Sequence, residues 1–590
     1  MESELGNGVQ INGSSVRLGI TDTGITLNHP TFRSHRADHV DASRIVYLKD
    51  FTQEGRVYFH PDALLSIKTG SSDEELLISG EVIQTPRLPS LPVGDQRTQV
   101  KDLKLRVSST LKAELSDPIR ARNFRLGFLA EDSLNGEEDL VDINANGSRT
   151  DRFPILYAQG ESPSDDRFYI DFTGEGDFRA APALHDWNRS RETVTVGAER
   201  IGFEAKADQL AVSVEGQPPI SVRSLSIVGY DPGNHGSHVA GIAAGAQTLS
   251  NDLANTRARG VAPEAAILMN RVCANNTGCQ ATAALIDLVL VGHADVVNMS
   301  LGGLSPFNDG YGTQETAINR LTAAKGALFM ISAGNSGPGK QTVGSPSTAR
   351  LALSVGASAT TAMIQRQYQY PGLGGSEGSG MNDPFMLFFS SRGPSAGGGF
   401  KPNLTAPGTE LSSIQLHAAS GRLAGLDVYW GTSMAAPAAT GAYALLLDGI
   451  NKFNTAHPES PLPTHSTILR RVLIESAQPF DVSRTDLSTG NTQTGQYTWT
   501  DQGTGMIHLP SAWTLLKKWR AEEPEATVKL TNGAPVELDY EVLVNSKDSP
   551  SRSGYDGSRL TTDKTPIFGS GVYLDFFGGD TLRKVAIARK

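Results

Sequence analysis

Residues 16–30 read VRLGITDTGITLNHP, an apolar run that stops on a short acid set between small residues. Val16, Leu18 and Ile20 alternate as a buried strand does. Asp22 falls at the end of that strand, where open α/β sheets carry their functional groups. A carboxylate there needs a partner, and no histidine in the next hundred residues has a context that fits.

From residue 223 apolar strands alternate with helical segments, the pattern of a doubly wound, mostly parallel sheet. AAILMNRV (265–272), ADVVNMSL (294–301) and GALFMISAGN (326–335) read as successive buried strands, with ATAALIDLVLVG (281–292) and TQETAINRLTAAKG (313–326) as helices between them. Ahead of them, NHGSHVAGIAAGA (234–246) opens a helix of small residues on His235. In WGTSMAAPAATGAYALLL (430–447), Ser433 stands at the start of an apolar helix behind a glycine. There it meets the positive end of the helix dipole and can lend its own N–H to an anion.

Composition narrows the classes. Glycine accounts for 62 of 590 residues and charged residues for 19%, which suits a loop-rich, tightly packed globular chain long enough for about three or four domains. The net charge of −11 includes no basic run to neutralise phosphates, which excludes nucleic acid and an anionic membrane surface as partners. No stretch approaches the ~20 apolar residues of a membrane span. MESELGNGVQ lacks the basic and apolar regions of a signal peptide, as the chain would if a leader had been removed. Cys273 and Cys279 frame CANNTGC, to be read as a small disulfide ring or as two free thiols. Pairing implies an oxidising compartment.

A hydroxyl becomes a good nucleophile only when a base takes its proton, and that base needs a third group to hold its tautomer. Asp22, His235 and Ser433 supply acid, base and nucleophile in that chain order. Singly, a serine at a helix start is an N-cap, a buried asparagine a satisfied polar group and a strand-end aspartate a turn former. Together they resemble the subtilisin-like serine proteases, the subtilases. ITDTGITLNHP, HGSHVAGI and GTSMAAPAATG are similar to that family's three catalytic signatures, and DVVNMSLGG, SAGNSGP, FSSRGPS, KPNLTAPG and QGTGMIHLPSA to its intervening landmarks. The likeness covers residues 14–32 and about 225–515. Ser237 stands where threonine is usual and keeps the hydroxyl.

The resemblance implies that Ser433 attacks the scissile carbonyl, His235 carries the proton, Asp22 orients the ring, and Asn335 faces the Ser433 N–H across the oxyanion. It implies that Ser300, Leu301, Gly302 and Gly303 form one edge and wall of the primary pocket, that Gly334 borders the substrate, and that Gly344 lies at the floor. Room for a large apolar or aromatic side chain is expected. No cofactor is needed for the chemistry. His235 and His238 make an H-x-x-H, but with neither an acid nor a third ligand beside it zinc is rejected and His238 is given a packing role.

Asp22 and His235 stand 213 positions apart, where compact subtilases have a few tens. Residues 33–222 therefore read as an inserted β-rich domain, with LKLRVSSTLKAEL, RFYIDF and TVTVGAERIGF as β-like runs, flanked by a peptidase domain of 1–32 plus 223–520. The domain is expected beside the cleft, with a role in access or specificity. Within it Asp142, Asn144 and Asn146 match the start of an EF-hand-type loop, but position 12 is Phe153. A structural calcium there, with Asp151 substituting, stands beside a plain Asx turn. DFTGEGD, with Asp171, Glu175 and Asp177, is a weaker match. PGLGGSEGSG (371–380) reads as a flexible loop, and 521–590 as a β-sandwich-like segment.

Long insertions at this place resemble the tripeptidyl peptidase II and pyrolysin branch. The leading expectation is a serine endopeptidase acting on proteins or peptides, with a tripeptidyl aminopeptidase as the alternative. A silent binding module is disfavoured by the intact triad. A secreted or periplasmic home is expected, with a cytoplasmic one as the alternative, and the sequence leaves the oligomeric state open.

Overall fold

The computed structural model describes Glu2 and residues 9–521, apart from 35–42, 73, 84–96, 135–141, 198, 211–217, 247–248, 252–255, 275–277, 369–382, 415–424 and 486–491. Beyond them it describes the short strands Ala526–Lys529, Pro535–Val536 and Val585–Ala586. The loop 371–380 and most of 521–590 lie outside the described residues.

The centre is an eight-stranded sheet in the order Ile45–Asp50, Ala266–Arg271, Arg17–Asp22, Val296–Met299, Leu328–Ser332, Leu353–Thr360, the last pairing with both Pro384–Met386 and Leu404–Pro407. Every pairing is parallel except that of Pro384–Met386. Alternate side chains of a strand leave opposite faces, and both faces here are covered. Leu328 and Met330 join Leu18, Ile20 and Ile267 in one core beneath the helices His235–Ala244 and Thr432–Ala456. Phe329 and Ile331 join Leu268 and Val297 in the other, against the helix Thr282–Leu290. Continuous apolar runs such as ILM and LFMI follow from this double burial. Among the described residues, no helix is long and apolar enough to cross a membrane.

Two boundaries differ from the sequence reading. Residues 33–222 do not leave the sheet at once, because Ile45–Asp50 first pairs along Ala266–Arg271 as an edge strand. The strand Ile220–Val228 then belongs with the inserted β structure, pairing with Glu199–Leu210 and Val57–Phe59. LKLRVSSTLKAEL is also not one β run. Arg97–Val107 is a strand, but Ser108 caps Leu111 N–H and starts the helix Ser109–Ser116, which buries Leu111 and Leu115 four residues apart. The insertion has its own cores, one around Phe59, Phe153, Tyr157, Phe168 and Phe203, another around Leu76, Leu105, Phe124 and Phe178.

Glu410 lines a cavity of about 250 Å³ between the helices His235–Ala244 and Thr432–Ala456. Burial raises its carboxyl from 4.5 to about 7. Across that window the folded chain holds a proton that the unfolded chain releases, so stability falls as pH rises through it. Glu410→Gln is expected to leave the melting temperature nearly unchanged at pH 5 and to raise it at pH 8 by on the order of a few degrees. Equal shifts at both pH values would contradict this.

Candidate active site

Asp22 ends the strand Arg17–Asp22 and is buried. Its Oδ1 lies 2.7 Å from His235 Nδ1 and accepts the Thr23 N–H at 2.8 Å. His235 opens the helix His235–Ala244, whose second residue must be glycine for the two elements to meet. A Cβ on Gly236 would stand 2.1 Å from the Gly24 carbonyl oxygen and 3.1 Å from Asp22 Cβ. Asn234, in left-handed conformation ahead of this helix, gives it no side-chain cap. The free N–H groups are taken from outside. Thr23 Oγ1 accepts from Gly236 N at 2.9 Å, and Asp231 Oδ2 accepts from Ser237 N at 2.7 Å. Asp231 also accepts from Thr23 Oγ1 at 2.7 Å, and burial raises its carboxyl above the usual range. Thr23 and Asp231 escaped the sequence reading, although D-x-x-x-H was there to be read.

Ser433 is the second residue of the helix Thr432–Ala456. Pro437, four residues on, has no N–H for the Ser433 carbonyl. Ser300 Oγ donates to that carbonyl at 2.7 Å, and Asn298 Nδ2 donates to Ser300 Oγ at 3.0 Å. The helix start is thus fixed from the neighbouring strand Val296–Met299 and the residues after it. The Ser433 hydroxyl donates back to the Ser300 carbonyl at 3.2 Å.

Asn335 lies just beyond the strand Leu328–Ser332. Its Oδ1 accepts from Thr432 N at 2.9 Å and Thr432 Oγ1 at 2.8 Å, which commits the carbonyl end of the amide and leaves the Nδ2 donor for the cleft. Gly334 N donates to Thr432 Oγ1 at 3.1 Å. Gly303 and Ser345 exchange backbone bonds of 2.9 and 2.8 Å, joining the Ser300–Gly303 segment to the Gly344 turn. A Cβ on Gly344 would lie 2.8 Å from the Gly303 oxygen, so only glycine allows that approach. At Gly303 a Cβ would meet open space.

The other readings separate cleanly. His238 is buried, lies 3.0 Å from the Asp427 carbonyl through Nε2, and stacks on Tyr429 with centroids 4.2 Å apart. Asp142 accepts from Asn146 N and Gly147 N, and the Asn144 and Asn146 amides donate to Asp151, so this loop is an Asx network satisfied from within. Asp171 likewise accepts from Thr173, Gly176 and Asp177 N–H groups. Among the described residues, no group of three or more His, Cys, Asp or Glu could hold a metal ion. Cys273 and Cys279 are paired in a disulfide.

The model of the subtilase family, peptidase S8, matches residues 13–505. The chain belongs to the subtilase family. It is 28% identical over 551 residues to pyrolysin of Pyrococcus furiosus, covering 86% of this chain and 35% of pyrolysin. It is 32% identical over 302 residues to tripeptidyl-peptidase 2 of Arabidopsis thaliana, covering 50% of this chain and 19% of that protein. The subtilase chain thus spans about a third and a fifth of the lengths of these relatives. A crystal structure of tripeptidyl peptidase 2 superposes with a TM-score of 0.52 at 18% identity, covering 90% of this chain and 38% of that one, and so shares the fold.

Burial lowers His238 to about 3, with the Asp427 carbonyl opposing the shift. A histidine depressed in the fold withholds a proton that the unfolded chain takes up, so it costs stability as pH falls below about 6.5. In an NMR titration from pH 8 to pH 5 the His238 ring protons are expected not to shift. A midpoint inside that range would contradict its burial.

Proposed function

We propose that this subtilase is a serine endopeptidase of protein or peptide substrates, working through Asp22, His235 and Ser433. The observation that carries the reading is the 2.7 Å Asp22–His235 hydrogen bond, made across 213 positions at the cleft that holds Ser433. Ser433 Oγ adds to the scissile carbonyl carbon as His235 Nε2 takes its proton. Asp22 holds the tautomer that leaves Nε2 free and stabilises the imidazolium. The Asn335 amide and the Ser433 N–H donate to the oxyanion. The imidazolium then protonates the departing amine as the C–N bond breaks, and water, deprotonated by His235, hydrolyses the acyl-enzyme.

Substrate would add as a strand along Ser300–Gly303. Its primary side chain would enter between Ser300, Leu301, Gly302, Gly303 and Gly334, over Gly344, and the open space at Gly303 supports a large apolar occupant. A tripeptidyl aminopeptidase, the alternative, would need acids placed to hold a substrate's free ammonium, and the sequence does not locate them. The Cys273–Cys279 disulfide supports a secreted or periplasmic location.

Ser433→Ala is expected to abolish hydrolysis in a chain that melts like its parent. Asn335→Ala should lower kcat by ~10²- to 10³-fold, the loss seen when one such donor is removed from a subtilisin. Full activity in either variant would overturn its assigned role.

Cleavage mode is read by comparing an internal peptide with a blocked N-terminus and its free-amine twin. The endopeptidase reading expects comparable kcat/KM for the two, whereas tripeptides released only from the free amine would replace it with the tripeptidyl one.

A further inference from the structure

The inserted segment reaches the triad through a buried charge. Arg271 ends the strand beside Arg17–Asp22, directly opposite Asp22 in the register. Its Nε donates to the Thr23 carbonyl at 3.0 Å, and its Nη2 donates to Glu54 Oε2. Glu54 follows the edge strand Ile45–Asp50, in the stretch that leads into the insertion. Both side chains are almost wholly removed from solvent, at 6% for Arg271 and 1% for Glu54.

Burying such a pair costs each ion its hydration, so the pair is poor evidence for stability and a better sign of something held in place. What it holds is Thr23. The N–H of that residue donates to Asp22 Oδ1, the oxygen that also lies against His235 Nδ1. Asp22 Oδ2 is buried without a hydrogen-bond partner among the described residues, so the carboxylate is aimed through Oδ1. The Thr23 hydroxyl meanwhile caps the histidine helix at Gly236. One residue therefore sets the acid and the start of the base's helix together, and its carbonyl is gripped by Arg271.

We propose that Glu54 is a positioning residue for catalysis: by fixing Arg271 against the Thr23 carbonyl, the inserted segment sets the orientation of Asp22 relative to His235. The inference rests on the Asp22/His235/Ser433 reading above. Glu54 acts through Arg271 and Thr23 and touches neither substrate nor the reacting atoms.

The test uses the full chain and a blocked peptide substrate. Glu54→Gln keeps the shape of the side chain but leaves the guanidinium without its counter-charge. It is expected to lower kcat by about 10- to 100-fold with KM within about threefold, because binding groups are untouched while transition-state geometry is not. Glu54→Asp, which restores the charge, should recover part of the loss. Arg271→Lys cannot serve two acceptors in the same fork geometry and should reproduce the kcat defect, adding little to Glu54→Gln in the double variant. Asn188→Ala is the control. It breaks the bonds of 3.0 and 2.6 Å that Asn188 makes to the Leu48 backbone on the same seam, bonds that involve neither Arg271 nor Thr23, and should lower the melting temperature without lowering kcat. If Glu54→Gln fails to fold, Glu54→Asp and Arg271→Lys carry the comparison. Unchanged kcat in the folded Glu54 and Arg271 variants, or a kcat loss in Asn188→Ala that matches theirs, would overturn the proposal. Activity surviving in Ser433→Ala would instead overturn the triad reading beneath it.

Discussion

A carboxylate shut away from water has to be paired, and the burial of Asp22 at a strand end is the constraint around which the catalytic half of this molecule is arranged. His235 answers it from far along the chain. For the ring to arrive, the histidine helix must approach the strand to the distance of a backbone contact, which explains glycine at 236 and the small residues behind it. The approach also exposes the helix's first N–H groups, which Thr23 and Asp231 then satisfy. Each polar residue at this junction meets a need created by the one before.

The nucleophile side follows a different logic. A proline placed one turn into the helix opens a carbonyl at Ser433, and a side chain from just past the neighbouring strand closes it. Because Ser300 both donates to that carbonyl and belongs to the proposed substrate edge, the proposed nucleophile and the proposed substrate strand share one reference point. Thr432 does the same for Asn335 from the helix side. Positions set in this way rest on residues just past the strand ends, where the packed strands place them.

The parts legible in the sequence were those whose physics is local. A strand ending on an acid, a small-residue helix led by histidine and a serine behind glycine each announce themselves within a dozen residues, and doubly buried strands show as unbroken apolar runs. What escaped depends on contacts between distant segments. Arg271 reads as the end of a strand until Glu54 is placed against it, 217 positions away. Ser108 could have been read as a helix cap, since Leu111 and Leu115 follow at helical spacing, but the alternation before it masked the change of period. The edge strand Ile45–Asp50 was hidden because a long gap between motifs suggests a cassette beginning at once. The two acidic loops match the opening of a cation-binding pattern, and across the fold their acids accept from neighbouring N–H groups.

That edge strand bears on how such a protein could have acquired its insertion and on how it could be cut down again. A parallel sheet whose outermost strand is removed presents a row of open N–H and C=O groups along Ala266–Arg271, a template for pairing with another molecule. Excision from residue 33 would therefore produce a chain prone to assemble edge to edge, whatever became of its chemistry. A graft that keeps the strand through Asp50 and rejoins the chain past Val228 leaves the border closed. The insertion is thus sewn into the sheet by a hem of six residues.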